Sequence, residues 1–304
     1  KAKALSSALQ AAEDADEEAA IRDEVEMLLE SFRLAVSWAS AESGPVAGRM
    51  DVVRDIALAV SPILRDLGLA YEALRLALAG EDTAHRLKDY GARGYLLLEA
   101  AENHRDNGDL AMAAAGYKEA AESLEEAKNY RQVADTLIRL GTMHWETQNA
   151  AASRDPFERA LNWLEHLHDV AGQVSALVVL GDIARQQGDS AATNYYSQAL
   201  RLTENQDSMA LQAAQVHYAL GRAYAEAGDN TAAENEYVEA VEGFTTVGDQ
   251  EGRAQAYRAL GQVYLRLDDR VRAVQVLERA AQLEESAAQG VDAAMHLGQV
   301  YMRE

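Results

Sequence analysis

Apolar residues in this chain recur at steps of three and four rather than alternating, so the pattern predicts amphipathic helices along most of its length. A longer beat arranges those helices in pairs. Leu-Gly stands at 140–141, 180–181, 220–221 and 260–261, four times at an interval of forty. A fifth copy, Leu297-Gly298, arrives three residues early, and the phase projected backwards falls on Ala100-Ala101 and then on Val60-Ser61. Seven residues beyond each glycine position lies a short polar turn: Gly108-Asp109, Gln148-Asn149, Gly188-Asp189, Gly228-Asp229 and Asp268-Asp269. There one helix is expected to stop and the next to begin.

Small and bulky residues keep the same beat. Ala113, Ala233 and Ala273 follow the glycine position by twelve, and Tyr117, Phe157, Tyr237 and Leu277 by sixteen. Ala120, Ala160, Ala240 and Ala280 follow by nineteen, and the copy at 181 keeps the order one residue shorter, as Ala192, Tyr196 and Ala199. Two antiparallel helices approach closely only where their facing side chains are small. Gly221 and Ala233 are therefore expected to thin the contact, Tyr237 to fill the space beside it, and Ala240 to admit the next pair. No such helix hides its apolar stripe alone, so neighbours must stack into a solenoid.

The run Leu-Gly-x-x-Tyr, Gly-Asp, Ala, Tyr, Ala resembles the tetratricopeptide repeat. Its usual period is about 34 residues, and a period of forty is similar to the lengthened variety of Leu-Gly-Asn repeat proteins, kinesin light chains and bacterial signalling proteins. The resemblance covers residues 90–304 and reaches 50–90 by phase. It implies an all-α fold, a right-handed superhelix of antiparallel helix pairs. Residues 1–45 would form an acidic helical cap or linker, and 46–304 an array of about six repeats, the first degenerate.

Two prolines modify this expectation. Asp155-Pro156-Phe157-Glu158 reads as an N-cap, a proline at the first helical position and a capping-box Glu, which predicts a late helix start and a loosened turn over 148–155. Ser61-Pro62 predicts a kink or a break in the helix over 50–66. Nearer the N-terminus, Val25, Leu28, Leu29, Phe32, Ala35, Val36 and Ala39 mark one apolar helix face, closed by Ser43-Gly44-Pro45.

Composition narrows the function classes. Apolar residues make up 48%, yet Phe and Trp contribute three each and Pro only three, which favours helix throughout. Fifty acidic against 28 basic residues give a formal charge of −22, which argues against a nucleic-acid surface and against adsorption to anionic membrane. A basic or neutral partner is more natural for such a charge, and the plainer reading is simply a soluble helical surface. Cysteine is absent, and no apolar run approaches the ~20 residues of a membrane span. Nothing resembles a signal peptide, so a cytoplasmic location is expected, and a chain opening on Lys1 is expected to be part of a longer or processed product.

Motifs of chemistry are missing. There is no GxxxxGK[ST], no GxGxxG after a strand, no GxSxG and no HExxH. His166 and His168 lie two apart, a spacing that puts them on different helix faces. His104 and His144 take the slot that Tyr224, Tyr264 and Tyr301 fill in later units. The expectation is a non-enzymatic protein with no cofactor and no metal.

Function is expected instead in the groove. In the repeat family the first helix of each pair lines the concave side, through the second, fifth, ninth and twelfth motif positions. Carried over by resemblance, these include Tyr95, Leu98, Glu102 and Arg105, then Asp135, Ile138, Thr142 and Trp145, then Ser175, Val178, Asp182 and Arg185. Gln215, Tyr218 and Arg222 follow, then Gln255, Arg258, Gln262 and Leu265, then Asp292, Met295 and Gln299. The expected ligand-binding set is Tyr95, Arg105, Ile138, Trp145, Val178, Arg185, Tyr218, Arg222, Arg258 and Gln262. Apolar and aromatic groups interleaved with arginines suit an anchor side chain plus a carboxylate or phosphate.

A second resemblance concerns residues 30–44, ESFRLAVSWASAESG. The stretch is similar to the Asn-Leu-Arg-Ala-Ala-Leu-x-Trp-Ala segment before the C-terminal repeats of signal-transduction ATPases with numerous domains. Arg33, Ala35, Trp38 and Ala39 agree, whereas Ser31, Phe32, Leu34 and Val36 depart. It implies a sensor array that binds a protein, a peptide or a small inducer, with an ATPase domain upstream in the same polypeptide. A stand-alone scaffold joining proteins and a peptide-pheromone receptor remain the alternatives.

Overall fold

The computed structural model describes residues 46–204 and 206–286, together with Met27 and Glu30. The expectations for 1–45 (those two residues apart), for Leu297-Gly298 and for Asp292, Met295, Gln299 and Tyr301 lie outside the described residues. Twelve α-helices and no strand are found among the described residues: α1 (Val46–Asp66), α2 (Ala70–Leu87), α3 (Tyr90–Asp106), α4 (Leu110–Glu126), α5 (Tyr130–Glu146) and α6 (Ala150–His166) come first. α7 (Val170–Gln186), α8 (Ala191–Thr203), α9 (Ala210–Ala227), α10 (Asn230–Val247), α11 (Gln250–Arg266) and α12 (Arg270–Ser286) follow, with a 3₁₀ turn at Asp207–Met209. The all-α stack of helix hairpins is the fold that the forty-residue beat predicts.

The chain divides into two compact units, Lys1–Met143 and His144–Glu304, the division falling inside α5. In the first unit, α1 pairs with α2 and α3 with α4; in the second, α7 pairs with α8, α9 with α10 and α11 with α12.

One turn recurs at nearly every junction. A residue in the left-handed region ends a helix, and an Asp or Asn caps the next. Gly188 (φ +67°) and Gly228 (φ +84°) take that conformation inside hairpins, as Gln148 (φ +58°) and Asp268 (φ +59°) do despite their side chains. The cap follows at once: Asp89, Asp169, Asp229 and Asp249 accept the backbone N–H three residues on, at 2.9–3.0 Å. His168 (φ +53°) is such a turn residue, and the His166 ring leans on Trp163 at 5.9 Å between centroids, so the two histidines have separate structural roles.

The expectation at Pro156 needs correction. α6 begins at Ala150, capped by the Asn149 side chain accepting from Ala152 N at 3.2 Å, and Pro156 lies buried inside it. The turn over 148–155 is not loosened, because Gln148 and Asn149 form the same left-handed turn and cap as the other junctions. The local capping-box signal yields to the repeat: starting α6 at 155 would uncover Ser153, which is fully buried. α1 likewise runs through Pro62 without a break. The Ser61 hydroxyl beside it donates to the Ala57 carbonyl at 2.7 Å, satisfying one backbone acceptor of that turn.

The seam is where the spacing placed it. A Cβ on Gly221 would come within 2.7 Å of the Tyr237 ring, one on Gly181 within 2.5 Å of Tyr196, and one on Gly261 within 2.7 Å of Leu277. Contacts that short are sterically closed, so each hairpin closes only over a glycine. Ala192, Ala233, Ala273, Ala199, Ala240 and Ala280 are buried beside these contacts. The core of the second unit is therefore a chain of seams: Leu177, Tyr196, Val216 and Leu220 in one cluster, Tyr237, Leu260, Val263 and Val276 in the next.

Candidate functional site: the face of first helices

Within the second unit, α7 touches α9 and α9 touches α11, in addition to each helix's own hairpin partner. The first helices therefore form a row. Two polar ties run along it: the Arg185 Nη1 donates to Glu226 Oε1 and Oε2 at 2.8 and 3.1 Å, and the Arg266 Nη1 donates to the Ala225 carbonyl at 2.7 Å. Both ties span 41 residues. That constancy is what the sequence offered for finding Glu226 and Arg266, neither of which the motif positions single out.

The expected site residues distribute over both units. In the first, Tyr95 is 37% exposed on α3, and its hydroxyl accepts from Asn129 Nδ2 at 3.0 Å. Arg105, at the end of α3, pairs with Glu102 at 2.9 Å. Ile138 is half-buried on α5. In the second unit, Trp145 is half-buried in the last turn of α5, Val178 packs partly against the α7–α8 cluster, and Gln262 is exposed on α11. Tyr218 and Arg222 stand one turn apart on α9, both half-buried, and Arg258 is half-buried on α11.

The structure brings together a smaller group than the expected set. Asp182 Oδ1 receives the Tyr196 hydroxyl at 2.9 Å and the Arg185 Nη2 at 3.3 Å. Burial, then the Asp182 charge, push the Tyr196 hydroxyl pKa well above the usual tyrosine value. Arg185 is thus held twice inside the protein, by Asp182 and by Glu226. The first unit builds a similar knot: Glu102, 3% exposed, lies between Arg105 at 2.9 Å and Arg139 at 2.8 Å, beside buried Tyr117.

Around α9 the residues differ. The Tyr237 ring packs at 5.6 Å and 51° to that of Tyr218. Burial and then Tyr218 raise the Tyr237 hydroxyl pKa, while the charges of Arg222 and Arg266 oppose the rise. Among the described residues, no carboxylate pairs with Arg222 and no acceptor meets the Tyr237 hydroxyl. The result is a half-open, locally cationic and aromatic patch in a chain of net charge −22. No three His, Cys, Asp or Glu side chains gather among the described residues as a metal site would require.

Comparison with known proteins agrees with the helical repeat fold. The tetratricopeptide repeat family model matches residues 212–286, which span α9 to α12. No characterised protein matches by sequence. Among solved structures, the apo form of RapI superposes with a TM-score of 0.61 at 13% identity, covering 91% of this chain and 79% of that one. BtubC from P. vanneervenii gives 0.58 at 20% identity, over 72% of this chain and 91% of that one. A signal transduction ATPase with numerous domains from Pyrococcus horikoshii, described as carrying a tetratricopeptide repeat sensor, gives 0.57 at 14% identity. Here the match spans 93% of this chain and 47% of that one. At these identities the likeness is one of fold. No described helix is long and apolar enough to cross a membrane.

Proposed function

Residues 212–286 being tetratricopeptide repeats in an all-helical stack, we propose that this protein is a non-catalytic recognition module, and that it holds a protein or peptide segment against its first helices. The observation that carries this reading is the half-buried row of Val178, Tyr218, Arg222 and Arg258 on α7, α9 and α11, while the facing seam residues are sealed. A side chain that is half-buried with a mixed apolar and cationic character has area to offer a partner without having to unfold anything. Trp145, Arg185 and Gln262 extend that surface in the second unit, and Tyr95, Arg105 and Ile138 offer a comparable one in the first.

The wider setting is a sensor or interaction part of a larger bacterial signalling or transcription regulator, with an ATPase domain in the same polypeptide. Support comes from the fold shared with the repeat sensor of the Pyrococcus horikoshii ATPase, of whose length this chain spans 47%. In that setting the partner acts by binding one state of the regulator better than the other.

Photo-crosslinking tests the face. A benzophenone amino acid at Val178 or Gln262 is expected to capture the partner, and one at Glu239, exposed on the second helix α10, is not. Capture at Glu239 alone would move the site to the opposite face and refute the assignment. Two partners captured separately from the two faces would establish a scaffold in place of a sensor.

A further inference from the structure

The second position of the seam, one residue past the glycine position, is an acid in two repeats and Thr142 or Gln262 in two others, and the two acidic repeats show what the patch around Arg222 lacks. In α3 that residue is Glu102, tied to Arg105 three residues on and lying beside Tyr117. In α7 it is Asp182, tied in the same way to Arg185 and accepting the Tyr196 hydroxyl. Both repeats thus contain a carboxylate, an arginine and a buried tyrosine. In the α9–α10 hairpin the tyrosine is kept as Tyr237, but Arg222 replaces the acid and Ala225 replaces the arginine. The repeat contributes a donor side chain and a hydroxyl there, and no acid at that position.

Neighbouring groups do not make up the deficit. Glu226 is already held by Arg185, and Asp182 by Tyr196 and Arg185. Arg266 reaches the Ala225 carbonyl and adds a second positive charge near Tyr237. Counting Arg185, Arg222 and Arg266 against Asp182 and Glu226, three guanidinium groups face two carboxylates, an excess of one positive charge. A singly charged carboxylate balances that excess, whereas a phosphate group, at roughly −1.5 to −2, would overshoot it.

We propose that this patch is a receptor for an acidic side chain of a partner peptide: an Asp or Glu takes the paired N–H donors of Arg222 and the Tyr237 hydroxyl, with the residue next to it lying on Tyr218. The partner supplies in trans the carboxylate that Glu102 and Asp182 supply in cis. Guanidinium and carboxylate match as planar, two-pronged partners, which fixes the orientation of the incoming chain as well as its charge. The proposal rests on the reading of the first-helix face as the recognition surface and gives that face its specificity. The general acidity of the chain then works as a filter, disfavouring acidic peptides that do not meet this patch.

Random heptapeptides displayed on phage and selected against the whole chain provide the test, followed by fluorescence anisotropy on individual winners. The expected winners share an Asp or Glu, its replacement by Asn or Gln weakens binding by about tenfold or more, and they block photo-crosslinking from Val178. The double substitution Arg222→Asp with Ala225→Arg rebuilds the arrangement of 182, 185 and 196 inside the protein; it is expected to abolish peptide binding while the melting temperature stays at or above the wild-type value. Should that variant fail to fold, Arg222→Gln with unchanged helicity serves in its place, with the same loss expected. Winners that block the crosslink but share no acidic position, or bind Arg222→Gln unchanged, would overturn this inference and leave the recognition face standing. Full displacement of the peptide by millimolar inorganic phosphate would overturn it in favour of a phosphate site. If no selected peptide touched the crosslinking positions, the broader reading would fall as well.

Discussion

The hairpins α7–α8 and α9–α10 stand side by side in one unit and share their seam almost atom for atom. Gly181 lies against Tyr196 as Gly221 lies against Tyr237, with Ala192 and Ala233, Ala199 and Ala240 buried in matching places. One residue past the glycine they part company. Asp182 closes its own polar circuit with Tyr196 and Arg185, whereas Arg222 finds no carboxylate among the described residues. The lesson is a separation of duties along one helix: the glycine and its ring fix how close two helices come, and the next side chain, half-exposed, is free to change sign. The fold and the proposed recognition site occupy adjacent positions and rest on different interactions.

The strongest way to break the comparison is to strike what the two hairpins share. Gly221→Leu and Gly181→Leu should each destabilise the protein by about 1–3 kcal/mol through overpacking against the tyrosine ring. Chemical denaturation followed by helical circular dichroism measures this. If either substitution were neutral, the close approach of Tyr237 or Tyr196 would not be what limits the hairpin.

Next comes the polar group that only one hairpin uses. Tyr196→Phe removes the hydroxyl that Asp182 accepts at 2.9 Å and should cost roughly 1 kcal/mol, while Tyr237→Phe removes a hydroxyl without an internal acceptor and should cost close to nothing. Alkaline titration sharpens the contrast. Tyr196 is held neutral in the folded state by burial and by the Asp182 charge, so its folded pKa lies above the unfolded value of 10.0. Below that value both states keep the proton and the contribution is whole; above it the unfolded chain releases the proton first, and stability falls as pH rises. Tyr196→Phe should flatten that alkaline limb. An unchanged slope would mean that another group governs it; Tyr117 and Tyr237, also pushed upward chiefly by burial, are the candidates.

Most of the fold was legible because close packing writes itself into sequence as a fixed interval. Gly221, Ala233 and Tyr237 could be assigned to one contact from spacing alone, since only a small residue opposite a large one satisfies it. Pro156 was misread for the opposite reason. The run Asp155-Pro156-Phe157-Glu158 is a strong local signal, but burial of Ser153 and the Asn149 cap act over the whole hairpin and outweigh it. The site was legible only as a list of surface positions. Glu102, Asp182 and Arg222 occupy one motif position, yet the sequence does not show that Arg105 and Arg185 are spent on the first two. Pairing depends on local i,i+3 neighbours and also on side chains 37 to 41 residues away, Arg139 for Glu102 and Glu226 for Arg185, which the forty-residue beat and not the helix period brings within reach.

Turns offer a smaller and stabilising test of how far the hairpins are interchangeable. Gly188 and Gly228 end α7 and α9 in the left-handed region, and Asp268 takes the same conformation at φ +59° after α11 with a side chain attached. Asp268→Gly should relieve that strain and, despite the greater freedom of glycine in the unfolded chain, raise stability by about 0.5–1 kcal/mol. A fall in melting temperature would show that unfolded-state entropy outweighs the strain.

The smallest effect belongs to the tie between the hairpins. Arg185 reaches Glu226 at 2.8 Å, but the glutamate side chain is 51% exposed, so water and salt screen the pair. Glu226→Gln should therefore cost no more than about 0.5 kcal/mol in stability, and less at high salt. Its effect on recognition should run the other way. Removing one of the two acids raises the local positive excess around Arg222 and Tyr237, so an acidic peptide should bind Glu226→Gln more tightly than the wild type, mainly at low ionic strength. A peptide that bound more weakly to Glu226→Gln would place its carboxylate elsewhere, because no acid approaching Arg222 gains from a second negative charge one turn away.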